Sequence, residues 1–182
     1  MIGIATILPE PYFQFVVDLQ EGIKAQLNLG DVPEMGIPHI SFHIAPAYDL
    51  TKVAAILAAV SSQTKPVTVQ TTGLAVFSGD EPVIYIPVTQ NADLTALHSQ
   101  LWPELEACAQ DAPAYYAPSN WFPHITLCHT GITPESVGKT IQWLNKQDTT
   151  WQIPLTNLTI LYDDDSLAPL SRYDFELCQI LE

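Results

Sequence analysis

The spacing of apolar residues changes period repeatedly along the chain. Ile2 to Leu8 alternates as a strand does, and Pro9 and Pro11 end it. From Tyr12, the residues Val16, Leu19, Ile23 and Leu27 fall at helical spacing up to the Gly30-Asp31 break. Residues 29 to 37, with Pro33 and Gly36, read as a loop, and Ile37 to Ala45 as a strand. Asp49 is placed to cap a helix carrying Leu50, Val53, Leu57 and Val60. Val67 to Phe77 is rich in Val and Thr and reads as one strand. The turn signal Ser78-Gly79-Asp80-Glu81-Pro82 follows, then a strand over Val83 to Val88.

The order then begins again. Asn91 caps a helix bearing Leu94, Leu97, Leu101 and Leu105, which Pro103 is expected to bend. A Pro- and aromatic-containing loop over 111 to 121 leads into a strand over Phe122 to Cys128. Thr133-Pro134-Glu135 is a helix start, predicting a helix through Lys146. Two strands, Trp151 to Tyr162 and Tyr173 to Leu181, close the chain. Each half reads strand, helix, strand, helix, strand, and no linker separates them. The expectation is an α+β fold: a single bilobal domain over 1–182, built from repeats at roughly 1–80 and 81–182 with strand exchange between them. Two mainly antiparallel sheets would flank a cleft, with helices outside.

The third element of each repeat carries the same chemistry. Pro38-His39-Ile40-Ser41-Phe42 and Pro123-His124-Ile125-Thr126-Leu127 start at matching places, with the two histidines 85 positions apart. Alternation along a strand puts each histidine and its hydroxyl on one face, about 6.7 Å of chain apart, and the apolar pair on the other. Two imidazoles and two small donors suit the handling of a phosphate.

Charge limits the ligand's size more than its chemistry. Six Lys plus Arg against twenty Asp plus Glu give a net charge of −14, which disfavours long duplex nucleic acid. A small phosphodiester or a single RNA end stays compatible, because a local pocket of donors overcomes a distant, screened field. Cys108, Cys128 and Cys178 form no Cys-x-x-Cys pair, so neither a disulfide framework nor a cysteine zinc site is expected, and a reducing cytoplasm fits. The start Met1-Ile2-Gly3-Ile4 lacks a basic segment, and the longest apolar run, Val53 to Val60, is eight residues. No signal peptide and no membrane span are expected. Nothing in the residues fixes an oligomeric state.

The paired motifs resemble those of the 2H phosphoesterase superfamily, which includes 2′,5′ RNA ligase-like proteins and cyclic phosphodiesterases and is defined by two His-x-Thr/Ser-x motifs on similar lobes. The lead-in Tyr116-Ala117-Pro118 and Trp121-Phe122-Pro123 is similar to that of many 2′,5′ RNA ligase-like members. The resemblance covers essentially the whole chain. It implies a cleft without metal or cofactor, in which His39 and His124 exchange protons with one phosphodiester while Ser41 and Thr126 hold its oxygens. It leaves open which histidine is the acid, and whether the site hydrolyses or ligates. RNA-processing members commonly carry basic residues after the second motif, whereas Cys128 and His129 stand here and Arg172 is the chain's only arginine.

Neighbouring residues carry open alternatives. His43, at +4 from His39, and Cys128, at +4 from His124, fall by alternation on the cleft face; with His39 and His124 they would form the alternative zinc set. His129, at +5, turns away unless the strand bulges. Tyr115, Tyr116, Trp121 and Phe122 either stack on a base or pack between lobes. Arg172 either reaches phosphate or is a surface cation paired with Asp174 or Glu176, and Asp163-Asp164-Asp165 reads as a solvated turn. The rival to an enzyme is a non-catalytic nucleotide- or protein-binding module that keeps the cleft.

Overall fold

A computed structural model describes residues 1–28, 36–162 and 171–178, without the side chains of 171–173. Residues 29–35 of the predicted 29–37 loop, the turn at Asp163-Asp164-Asp165 and the chain from 179 onward lie outside the described residues. The fold is α+β, and every strand ladder among the described residues is antiparallel.

One sheet contains β1 (Ile2–Ile7), β2 (His39–Ala45), β10 (Asn157–Tyr162) and β11 (Ser171–Glu176), in the order β11-β10-β1-β2. The other contains β5 (Ala75–Phe77), β6 (Val83–Pro87) and β8 (His124–Cys128), in that order. Sheet membership therefore does not follow the halves of the chain: β5 joins the sheet of the second motif, and β10 and β11 join that of the first. Two short ladders, β4 (Val67–Gln70) with β9 (Gln152–Leu155) and β3 (Ala47–Tyr48) with β7 (Ala109–Gln110), complete the pairing.

The helices are where apolar periodicity put them. α1 (Tyr12–Leu27) buries Val16, Leu19 and Ile23; α2 (Leu50–Ser61) buries Val53, Leu57 and Val60. α3 (Ala92–Glu106) buries Leu94, Leu97, Leu101 and Leu105, with Pro103 inside its last turn. The side chains of Asp49 and Asn91 accept the backbone N–H of Lys52 and Leu94, at 3.2 and 2.8 Å, as N-caps do. α4 (Val137–Leu144) begins later than expected. Hydroxyl bonds between Thr133 and Ser136 close a turn there first, so Pro134 does not start the helix. No helix among the described residues is long and apolar enough to cross a membrane.

Two stretches expected as single strands are each divided. Segment 67–77 breaks after β4, where the Thr71 hydroxyl donates to the Thr149 carbonyl at 2.8 Å and accepts from the Trp151 N–H at 2.9 Å. Gly73 then takes a left-handed φ of 62°, a region in which a Cβ is strained. Segment 151–162 divides at Thr156, and the Asn157 amide bonds both the N–H and the carbonyl of Ile7 at 2.9 Å. Each break moves the chain from one sheet to another, a tertiary choice that β-propensity does not encode.

Candidate functional site

The two motif strands are built alike. Ile7 lies opposite His39 and Ala5 opposite Ser41; Pro87 lies opposite His124 and Tyr85 opposite Thr126. The proline before each histidine offers its carbonyl to the neighbouring strand, Pro38 to the Leu8 N–H at 3.1 Å and Pro123 to the Val88 N–H at 3.0 Å. The imidazoles are held identically. His39 Nδ1 lies 2.6 Å from the Ile37 carbonyl oxygen and His124 Nδ1 2.7 Å from that of Phe122. A carbonyl only accepts, so Nδ1 carries the proton in each neutral ring and Nε2 is the unprotonated nitrogen.

Both motifs contain a bulge at the same place, and it corrects two expectations. The register shifts between Ile4 and Ala5 against His43 and Ser41, and between Ile84 and Tyr85 against Cys128 and Thr126. One extra residue, Phe42 or Leu127, therefore flips alternation beyond it. His43 and Cys128 do not line the cleft; they are buried, at 1% and 0% exposure. His43 is held by the Tyr48 hydroxyl at 2.5 Å and the Glu106 carboxylate at 3.1 Å, and the Cys128 thiol donates to the Thr130 carbonyl at 3.4 Å. The alternative zinc set is thus split across the strand, and the described residues contain no cluster of three or more metal-ligating side chains. The residues turned toward the cleft instead are Ile44 and His129, each at +5.

The cleft has a volume of about 780 Å³ and includes His124, Thr126, His129, Ile44, Tyr116 and Trp121 in its lining. β2 packs against β8. Burial, the largest cause, lowers the pKa of His39, with the Ile37 carbonyl opposing; His124 and His129 lower it further through charge repulsion. Burial likewise lowers the His124 pKa against the Phe122 carbonyl. The structure thus brings His39, His124 and His129 within electrostatic reach of one another.

Trp121 and Tyr116 tie the second motif's lead-in to the first motif. The Trp121 indole N–H donates to the Ser41 carbonyl at 2.9 Å, and its ring stacks on buried His98 with centroids 3.9 Å apart. Burial pushes the pKa of the Tyr116 hydroxyl up to about 12, with the Ser41 side chain opposing. Trp121 and Tyr116 are buried, whereas Tyr115 and Phe122 are 62% and 50% exposed. Arg172 pairs with Leu161 through the backbone, and its side chain lies outside the described residues. Phe77, Val83 and Asn120 also line the cleft and went unrecognised in the sequence. Phe77 sits just before a turn signal with no motif around it, and Tyr85 lacks a motif as well.

The fold and the paired histidine strands define a phosphoesterase-type scaffold, and sequence comparison gives its family. The family model for the 2′-5′ RNA ligase superfamily matches residues 14–167. The chain belongs to that superfamily. No curated protein matches the sequence. Among solved structures, TT0787 of Thermus thermophilus is 16% identical, with a TM-score of 0.63 over 97% of each chain. LigT of E. coli, complexed with 3′-AMP, is 17% identical, with a TM-score of 0.57 over 98% of each chain. A protein described as a phosphoesterase is 16% identical, with a TM-score of 0.53 over 98% of each. At these identities the likeness is one of fold.

Proposed function

We propose that the chain is a metal-independent phosphoesterase that opens, or reversibly forms, a cyclic or 2′,5′ phosphodiester of a small nucleotide or RNA end. The observation that supports this reading is the matched pair of Nδ1–carbonyl bonds, which leaves Nε2 of each motif histidine free for proton exchange, with His124 lining the cleft and His39 within electrostatic reach of it. In hydrolysis of a 2′,3′-cyclic phosphate, the water oxygen bonds to phosphorus as the bond from phosphorus to one ribose oxygen breaks. One imidazole, neutral at the start, takes the water's proton; the other, protonated at the start, gives its proton to the departing oxygen. Ser41 and Thr126 donate to the non-bridging oxygens, where negative charge accumulates. Residues 1–182 act in this reading as one bilobal unit, each lobe supplying one histidine and one hydroxyl.

That LigT was complexed with 3′-AMP supports a small nucleotide as ligand. The lining of the cleft, which among the described residues includes neither Lys nor Arg, favours a ligand of low charge. The test is turnover of a panel of 2′,3′-cyclic nucleotides, ADP-ribose cyclic phosphate and 2′,5′-linked oligonucleotides across pH. Hydrolysis of one or more supports the reading, and binding without turnover across the panel would make the protein a nucleotide-binding module instead.

A further inference from the structure

The first motif strand, β2, lies at the edge of its sheet among the described residues, so backbone groups on its outer side have no strand to pair with. Side chains from later in the chain take that place. The Trp121 indole N–H donates to the Ser41 carbonyl at 2.9 Å, and His98 Nε2 lies 3.1 Å from the carbonyl oxygen of Phe42, the bulge residue. The residue after the bulge, His43, is gripped by its own ring.

His43 is 1% exposed, and both of its ring nitrogens are bonded. A carboxylate only accepts, so Nε2 donates its proton to Glu106 on α3 at 3.1 Å. Burial, the largest cause, holds the His43 pKa below its ordinary 6.5, with Glu106 opposing, so the ring is neutral near pH 7. Nδ1 is then the acceptor, and the Tyr48 hydroxyl on β3 donates to it at 2.5 Å. This is the opposite tautomer from that of His39 and His124, whose Nδ1 faces a carbonyl.

The bulge itself does not require such a ring. At the equivalent place in the second motif stands Cys128, fully buried, whose thiol donates to the Thr130 carbonyl. Burying an imidazole costs desolvation that a thiol or an alkyl group does not, and here two partners from two other elements offset it. What the arrangement adds is a fixed link between β2 and α3, made two residues from Ser41 and four from His39.

We propose that His43 is a positioning residue of the first motif: its bond to Glu106 ties the bulge at Phe42 to α3 and so sets where Ser41 meets the phosphate. This rests on the phosphoesterase reading above. The Tyr48 hydroxyl keeps the His43 ring in the tautomer that donates to Glu106.

In the test, His43→Leu and Glu106→Ala break the link. His43→Gln and Glu106→Gln keep it, since one amide donates where Nε2–H did and the other accepts where the carboxylate did. Glu106 is partly exposed, so Glu106→Ala keeps the fold even where His43→Leu does not; circular dichroism and melting check all four. With adenosine 2′,3′-cyclic monophosphate, the link-breaking variants are expected to lose about 10- to 100-fold in kcat, with KM within about twofold of the wild type. The glutamine variants should keep kcat within about threefold. Full turnover in Glu106→Ala, a loss carried by KM, or glutamine variants as slow as the link-breaking ones would overturn the positioning role, although the phosphoesterase reading would then stand. If the wild type does not hydrolyse the ester, that reading falls, and amide hydrogen exchange decides the positioning alone. Exchange over residues 39–45 that is roughly tenfold faster in Glu106→Ala, with 124–128 unchanged and Glu106→Gln like the wild type, supports it. Unchanged exchange over 39–45 overturns it.

Discussion

His39 and His124 are held by the same bond, Nδ1 to the carbonyl two residues earlier, at 2.6 and 2.7 Å. The histidines sit on different sheets, so the identity is a property of the repeated motif, in which a proline fixes φ at the residue between the carbonyl and the histidine. Acid–base exchange needs one ring charged and one neutral, and nothing in their backbone anchoring distinguishes them. What differs is their surroundings, with the closed cluster of Ala5, Ile7 and Leu161, covered by Phe13 and Ile37, beside His39 and open aromatic rings beside His124.

The pH profile follows from burial. Both imidazoles titrate below the usual 6.5, and His39 is lowered further by His124 and His129. The singly protonated pair is therefore most populated below that value. The kcat/KM profile of the free enzyme is expected to be bell-shaped with its maximum below about pH 6.5. A plateau extending above about pH 8 would contradict it.

Stability has a pH dependence of the same sign. His98 is buried, its Nε2 lies 3.1 Å from the Phe42 carbonyl oxygen, and burial lowers its pKa from 6.5 to about 4. Between those two values the unfolded chain therefore binds a proton there that the folded chain does not. Stability falls as pH drops through that window, by a few kcal/mol in order of magnitude, with the burial-lowered His39, His43 and His124 adding in the same direction. Urea midpoints at about pH 7 and about pH 4.5 measure it, and a midpoint that does not fall would contradict the buried neutral ring.

Trp121→Phe keeps the stack on His98 and removes the donor to Ser41. The variant should lose about 1 kcal/mol of stability and several-fold in kcat/KM, because the strand segment carrying Ser41 loses its tie to the second motif's lead-in. Denaturant titration and steady-state kinetics check the two parts separately.

The helix pair α1 and α4 has one position with no room. A Cβ on Gly22 would clash with the Trp143 ring at Cη2, well inside contact distance. Gly22→Ala should destabilise by roughly 1–3 kcal/mol, although alanine in a helix is otherwise worth up to about 1 kcal/mol over glycine. A higher urea midpoint would mean that Trp143 swings aside without cost.

The motifs, their duplication and the helix faces were legible because each rests on local periodicity. His39, Ser41, His124 and Thr126 needed only alternation over three residues to share a face. The next two positions were not legible. A bulge at Phe42 and at Leu127 exchanges the places of His43 with Ile44 and of Cys128 with His129, and a bulge is decided by the partner strand. The same holds for Phe77 and Tyr85, whose place beside His124 comes from β5, β6 and β8 pairing across a long stretch of sequence.

The central claim, that two equivalent imidazoles exchange protons at one phosphodiester, is tested most directly by single and double substitution of His39 and His124 with alanine. With a hydrolysed cyclic nucleotide as substrate, either single variant is expected to lose about 10²- to 10⁴-fold in kcat while keeping its native circular dichroism. The double variant should lose little more than the worse single one, because the pair acts as a unit. Full turnover in either single variant would contradict the account.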